Sequence, residues 1–251
     1  MAFQTQGKKA FNVPKFSAWG LKIYACVAMV LANFGIIIVE HGIIKIDTYT
    51  KEGLSQALSD SSSLMVWSGV GSVLQLIGGL AVPVFAFLLV EGFHKTQNLR
   101  KYFFSITALA AVSEIPYDYA MSGSVWDISS QSAAFSLFVC FVMLYCMKVV
   151  KNKFLQFFVA AAAVVWITLF KGEYGLCMVL LCAIFYMFRE KNGVKTILGM
   201  IVSLLYVTGP ISFYGIYFYT GYREYKCSKY VFYVLYPIHL IVFGLITRLI
   251  L

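Results

Sequence analysis

Apolar residues run in stretches near 20 long, separated by short polar connections, along nearly the whole of the 251-residue chain. A helix needs about 20 apolar residues to cross hydrocarbon, because each residue adds only about 1.5 Å. Run length predicts about eight spanning helices, near residues 19–44, 66–91, 102–120, 132–150, 154–170, 173–189, 196–220 and 230–250. Residues 45–63 form the longest polar connection and hold a serine-rich run. No stretch outside these segments is long enough for a second core. The expected organisation is a polar N-terminal segment, 1–18, and one all-α transmembrane bundle, 19–251.

Composition sharpens this picture. The chain is 61% hydrophobic and only 12% charged, about half the charged share of soluble proteins. Residues 1–18 lack the apolar core of a removable signal peptide, so the first span is expected to serve as an uncleaved signal. A net charge of +9 invites a nucleic-acid reading. The basic residues, however, sit in short loops beside apolar runs, where cytoplasmic anchoring explains them and a nucleic-acid partner is not expected. Contact with membrane lipids, anionic ones included, or with an anionic cofactor fits the same residues. Lys8, Lys9 and Lys15, then Lys95, Arg100 and Lys101, then Lys148, Lys151 and Lys153, then Arg189, Lys191 and Lys195 fall on alternate loops. The intervening loops 45–63 and 121–131 are neutral to slightly acidic, so both termini are expected in the cytoplasm. One loop disagrees: 221–229 carries Arg223, Lys226 and Lys229 on the side expected to be external. Either the Gly209-Pro210 break makes the seventh segment re-entrant, or these charges are functional. The six cysteines fall mostly in apolar runs without metal or disulfide spacing, and read as small core residues.

Ionisable residues inside apolar runs are where chemistry is expected, because an unpaired charge in hydrocarbon is costly. Glu91 ends one run and Gly92-Phe93-His94-Lys95 follows. It is either an interfacial partner of Lys95 or His94, or part of a polar mouth where Lys95, Arg100 and Lys101 meet phosphates. Glu114 and Asp118 lie one helical turn apart, with Pro116 between them removing a backbone donor. Two close carboxylates in a low dielectric share a proton, which suits acid–base work; the alternative is a helix end in which both are merely hydrogen-bonded. His239 follows Pro237 at the head of the last run and is either a core donor or a neutral base. Glu173, at a helix start, reads as favoured by the dipole. The three histidines show no metal-ligand spacing, so no metal is expected.

Several of these residues recur as an ordered set. Val82-Pro83-Val84-Phe85-Ala86-Phe87 leads to Glu91-Gly92-Phe93, Thr96, Asn98 and Lys101-Tyr102. Ser113-Glu114-Ile115-Pro116-Tyr117-Asp118, Glu173-Tyr174-Gly175 and, after Lys229, Tyr236-Pro237-Ile238-His239-Leu240 follow. In this order the set resembles the TraX family of F-type pilin acetylases. The resemblance implies a transmembrane acyltransferase-like fold in a bacterial cytoplasmic membrane. It implies transfer of an acetyl group from acetyl-CoA to an amine or hydroxyl of a peptide or glycan. His239, Glu114 and Asp118 become the expected catalytic set, and Glu91, His94, Lys95, Asn98, Arg100 and Lys101 the expected cofactor side. The chain departs from the family pattern twice. Ala32-Asn33-Phe34-Gly35 stands where an Asp-His-Ile-Gly stretch is usual, and Ile77-Gly78-Gly79 where an arginine is usual. Asparagine cannot accept a proton at neutral pH. Two readings therefore stand: a membrane acyltransferase, or a non-catalytic relative that binds or scaffolds a membrane-protein partner.

Overall fold

The computed structural model describes residues 16–221 and 230–249; Lys8, Lys9, Lys15, Arg223, Lys226, Cys227 and Lys229, weighed above, lie outside the described residues. The chain forms helices α1 (Ala18–Asn33), α2 (Lys51–Asp60, within the long polar connection), α3 (Ser62–Gly78), α4 (Ala81–Lys95), α5 (Leu99–Ser122) and α6 (Ala133–Val149). They continue as α7 (Lys153–Leu169), α8 (Gly175–Met187), α9 (Asn192–Ser203), α10 (Phe213–Tyr217) and α11 (Tyr230–Leu249). α1 passes directly into a π-helical segment, Phe34–Ile44. Helix starts are set by short polar side chains that satisfy the open N-terminal amides. Ser17 accepts from the Gly20 N–H at 3.1 Å, Asn98 from Lys101 at 2.9 Å and Asn152 from Phe154 at 2.9 Å. The larger of two core clusters includes Phe87, Phe93, Phe141, Leu144, Phe185 and Phe213; the smaller gathers Ile37, Tyr117, Tyr236 and Leu240 toward the other end of the bundle. Outward faces carry exposed Phe154, Phe157, Phe158, Val165 and Leu169, the surface a helical membrane bundle presents to lipid.

One end of the bundle gathers Lys22, Lys95 and Lys101 and is termed the basic end; the other, the far end, holds Glu40, Glu114 and Asp118. α3 and α4 together make one pass, Ser62–Lys95, bent where the sequence reads Gly78-Gly79. The bend needs both glycines. A Cβ on Gly78 would lie 2.4 Å from the Ala32 Cβ, and one on Gly79 2.7 Å from the Thr208 hydroxyl. The run near 66–91 thus forms two helices rather than one.

The seventh apolar run is re-entrant. α9 leaves the basic end, and near its tip the Val202 carbonyl accepts from the Cys177 thiol at 3.8 Å. Tyr206 packs against Tyr174 with ring centroids 5.0 Å apart. The Thr208 hydroxyl donates to the Leu76 carbonyl, and that of Ser212 to the Leu80 carbonyl at 2.7 Å. These bonds tie non-helical backbone at membrane depth to protein, the condition under which it is tolerated. α10 then returns to the basic end, where the Tyr219 hydroxyl accepts from Lys95 Nζ at 3.1 Å. Gly221, the last described residue before the discordant loop, lies beside Lys95 Nζ. The Gly209-Pro210 break therefore makes a hairpin, and the loop that follows starts at the basic end.

This hairpin sets where the described chain begins and ends. At the start of the described chain, Phe16 pairs with the Phe218–Thr220 backbone at the basic end. At its end, Thr247 donates to the Ile37 carbonyl at 3.0 Å, and Arg248 to that of Met121 at 3.0 Å, both at the far end. Within the described residues, Phe16 and Leu249 therefore lie at opposite ends of the bundle, because one of the apolar segments turns back.

Candidate functional site

A cavity of about 670 Å³ runs through the bundle between α1, α4, α5, α6, α8 and α11. At the basic end it is lined by Lys22, Glu91, Lys95, Asn98, Lys101 and Tyr219. Its middle is apolar, with Met29, Val82, Leu89 and Ile106. At the far end Asn33, Gly78, Ala133, Glu173, Tyr174 and Tyr236 close it. A cationic mouth, an apolar barrel and a polar floor follow one another along a single path.

The mouth is built on the α4–α5 corner. Lys95 forms an ion pair with Glu91 at 2.7 Å, one helical turn away, and its ammonium also lies 4.9 Å from the Tyr219 ring centroid. Lys22 sits over the Phe232 ring at 5.5 Å. Asn98 caps α5 and also lines the mouth. Arg100 does not line the main cavity. It lines an adjoining groove with Tyr145 and Lys148 that shares Thr96, Gln97 and Asn98. His94 lies behind the wall: its ring stacks on Tyr186 at 5.2 Å, and its buried Nε2 has no hydrogen-bond partner.

At the far end the geometry decides what each group can do. His239 Nδ1 is 2.9 Å from the Leu235 carbonyl, which only accepts, so Nδ1 carries the proton. Nε2 of the neutral ring then accepts from the Asn33 side-chain amide at 2.7 Å. The imidazole lone pair is spent on Asn33, and it is Asn33, not His239, that lines the cavity. Glu114 and Asp118 also stand behind the wall. Both Glu114 oxygens accept from the Ser132 N–H at 3.3 Å, and one accepts from its hydroxyl at 2.7 Å. Asp118, 6% exposed, accepts from the Asp127 N–H at 3.0 Å. The two carboxylates thereby pin loop 123–132 across the end of α5. Within that loop the Ser129 N–H holds the Asp127 carboxyl below its usual value.

Loop 123–132 in turn holds the turn that carries Glu173. The Gln131 N–H donates to the Lys171 carbonyl at 3.3 Å, and the Glu173 N–H to the Gln131 carbonyl at 2.8 Å. Ser136 donates to the Glu173 carbonyl at 2.7 Å. Lys171 and Tyr174 flank it with φ of 51° and 54°, a left-handed conformation that costs non-glycine residues energy and recurs at functional sites. Glu173 and Tyr236 stood in the sequence only as members of the ordered motif set, with no site role expected of either. Lys22 could have been found, because a lysine within an apolar run is itself a signal.

Fold and cavity together define a polytopic helical membrane protein with a long pocket, cationic at one mouth and polar at the other end. The family model described as TraX protein matches residues 17–247, and the chain belongs to that family. No curated protein and no solved structure matches the chain. The two departures from the family pattern prove to be neighbours. Gly78 packs directly on Ala32, with the Tyr174 hydroxyl 3.8 Å from where a Gly78 Cβ would stand.

Proposed function

We propose that this protein is a membrane acyltransferase that draws an acyl-CoA donor, such as acetyl-CoA, into the cavity from a cytoplasmic basic end. The acyl group would pass to an amine or hydroxyl of a peptide or glycan at the far end. The observation that carries this reading is the continuity of one cavity from Lys22, Lys95 and Lys101 to Asn33, Glu173 and Tyr236. The residues fit the donor's chemistry. Lys95, Lys101 and, in the adjoining groove, Arg100 and Lys148 suit phosphate oxygens, and the apolar middle suits a flexible thioester arm. Lys151, Arg189 and Lys191 lie in the connections α6–α7 and α8–α9, and Lys148, Lys153 and Lys195 in the helix turns beside them, at the same end. That excess supports its cytoplasmic placement in a bacterial inner membrane.

Binding tests the reading first. Purified protein in detergent is expected to bind CoA with an affinity that falls as salt rises and drops about tenfold in Lys101→Ala, as loss of a charge-assisted phosphate contact predicts. Absence of CoA binding at low salt removes the proposal. The second reading, a non-catalytic relative that binds a ligand or a membrane-protein partner, draws on the Asn33–His239 bond, which occupies the lone pair a base would need. Saturable CoA binding without turnover, with activity appearing in the Ala32→Asp, Asn33→His double variant, selects that reading.

A further inference from the structure

If His239 is engaged by Asn33 and the acids on α5 are engaged by their loop, the proposed transfer needs another proton acceptor. Among the carboxylates, Glu91 and Glu173 line the cavity. Glu91 is at the mouth and ion-paired with Lys95. Glu173 is at the floor, half-buried, on a turn held by two backbone hydrogen bonds to Gln131 and one from the Ser136 hydroxyl, and flanked by two left-handed residues. Its side chain is engaged by the Ala133 N–H and the Tyr174 hydroxyl. A carboxylate has about four lone-pair sites, so capacity remains for a substrate proton.

A donor for developing negative charge stands in the same place. Tyr236 is 6% exposed and lines the cavity; its buried hydroxyl lies against the Ala133 N–H, beside Glu173, and no acceptor is present for its own proton. A buried O–H with no acceptor costs energy and is retained where a ligand will satisfy it. It faces the start of α6, where Ala133 and Ala134 also line the cavity, so the helix dipole adds positive potential at the same point.

We propose that Glu173 is the proton acceptor of this site and that the Tyr236 hydroxyl holds the oxyanion, so that the acceptor substrate is a neutral amine or an alcohol bound at the cavity floor. This rests on the acyltransferase reading. The acceptor's nitrogen or oxygen attacks the thioester carbonyl carbon while its proton passes to the Glu173 carboxylate. The carbonyl electron pair moves onto oxygen against the Tyr236 hydroxyl. As the carbonyl re-forms, the carbon–sulfur bond breaks, and the departing thiolate takes the proton back from Glu173. One acyl group and one proton exchange places, and no redox partner is needed.

The test uses the full chain in detergent, with acetyl-CoA as donor and two probes, glucosamine and trialanine, reading CoA release beside CoA binding by calorimetry. Glu173→Gln is expected to lower turnover by at least 100-fold with CoA affinity unchanged within threefold, and Glu173→Asp to restore part of it. Tyr236→Phe is expected to lose about 100-fold in turnover. Melting temperature separates these effects from misfolding. Turnover in Glu173→Gln above a third of wild type overturns the inference. So does a wild type that binds acetyl-CoA yet releases no CoA to either probe or to water. A wild type that binds no CoA removes the underlying reading instead.

Discussion

Truncating Glu114 isolates what the α5 acids do. Glu114→Ala removes the acceptor for the Ser132 N–H and hydroxyl, and Ser132 itself is fully buried. Leaving a buried donor unsatisfied costs roughly 1–3 kcal/mol. Glu114 is half-buried, so water can replace part of what is lost. A net destabilisation of about 2–3 kcal/mol follows, and for a chain of this size that corresponds to a melting shift of about 5–10 °C. Glu114→Gln keeps one acceptor oxygen for the hydroxyl and should lose about half as much. The assay is thermal unfolding in detergent, followed by a thiol-reactive dye that reports exposure of buried Cys140, Cys177 and Cys182. Limited proteolysis of loop 123–132 gives a second readout. Ile115→Ala, at an outward position 52% exposed, is the control and should stay near wild type. A Glu114→Ala protein that melts within 2 °C of wild type, with its loop no more cleavable, refutes the pinning role.

Gly78→Ala forces a methyl to within 2.4 Å of the Ala32 side chain. It should cost about 1–3 kcal/mol by overpacking, read as a lower melting temperature, and Ala32→Gly in the same chain should recover most of it. Lys95→Ala removes both the Glu91 ion pair and the Tyr219 hydrogen bond. It should loosen α10 at the mouth, measured as faster hydrogen exchange across residues 213–219, whereas Lys101→Ala should leave that exchange unchanged. Single cysteines at Ser17 and Leu249, placed in a background lacking exposed Cys146, should be labelled by an impermeant maleimide from opposite faces of sealed vesicles. Labelling of both from one face would reject the re-entrant hairpin.

The all-helical bundle was legible because hydrocarbon demands helices, and most apolar runs became helix close to their expected place, three of them long and apolar enough to cross a membrane. The hairpin at 192–217 showed in the sequence only as a charge conflict at Arg223, Lys226 and Lys229. What folds it back is a set of side-chain bonds to Leu76 and Leu80, more than 120 residues away, which no local pattern reveals. The same holds for Glu114 and Asp118. Their cost in an apolar helix signals a need for partners, and the partners they have, the Asp127 and Ser132 backbone and the Ser132 hydroxyl, arrive from a loop that no local pattern places. Glu173 was passed over for the converse reason. A helix-start carboxylate is favourable anywhere on a surface, and only the Lys171 and Tyr174 backbone turns this one into the cavity.

The neighbourhood of Asn33 joins these threads. Had the first-span acid alone been replaced by Ala32, an arginine before α4 would face a small apolar wall with its charge unpaired, at a cost of several kcal/mol. Instead the position against Ala32 is Gly78, and the two pack without any polar group left between them. Asn33 likewise leaves no orphan, since its amide donates to the one acceptor His239 offers. A pocket degraded at random would carry such orphans. Within this cavity the open donor lies elsewhere, on the Tyr236 hydroxyl, which meets the Ala133 N–H at the α6 start but finds no acceptor for its proton. Unsatisfied hydrogen-bonding capacity is what a ligand is recruited to fill, so the polar demand of this cavity has its centre at α8 and α11 rather than on the first span.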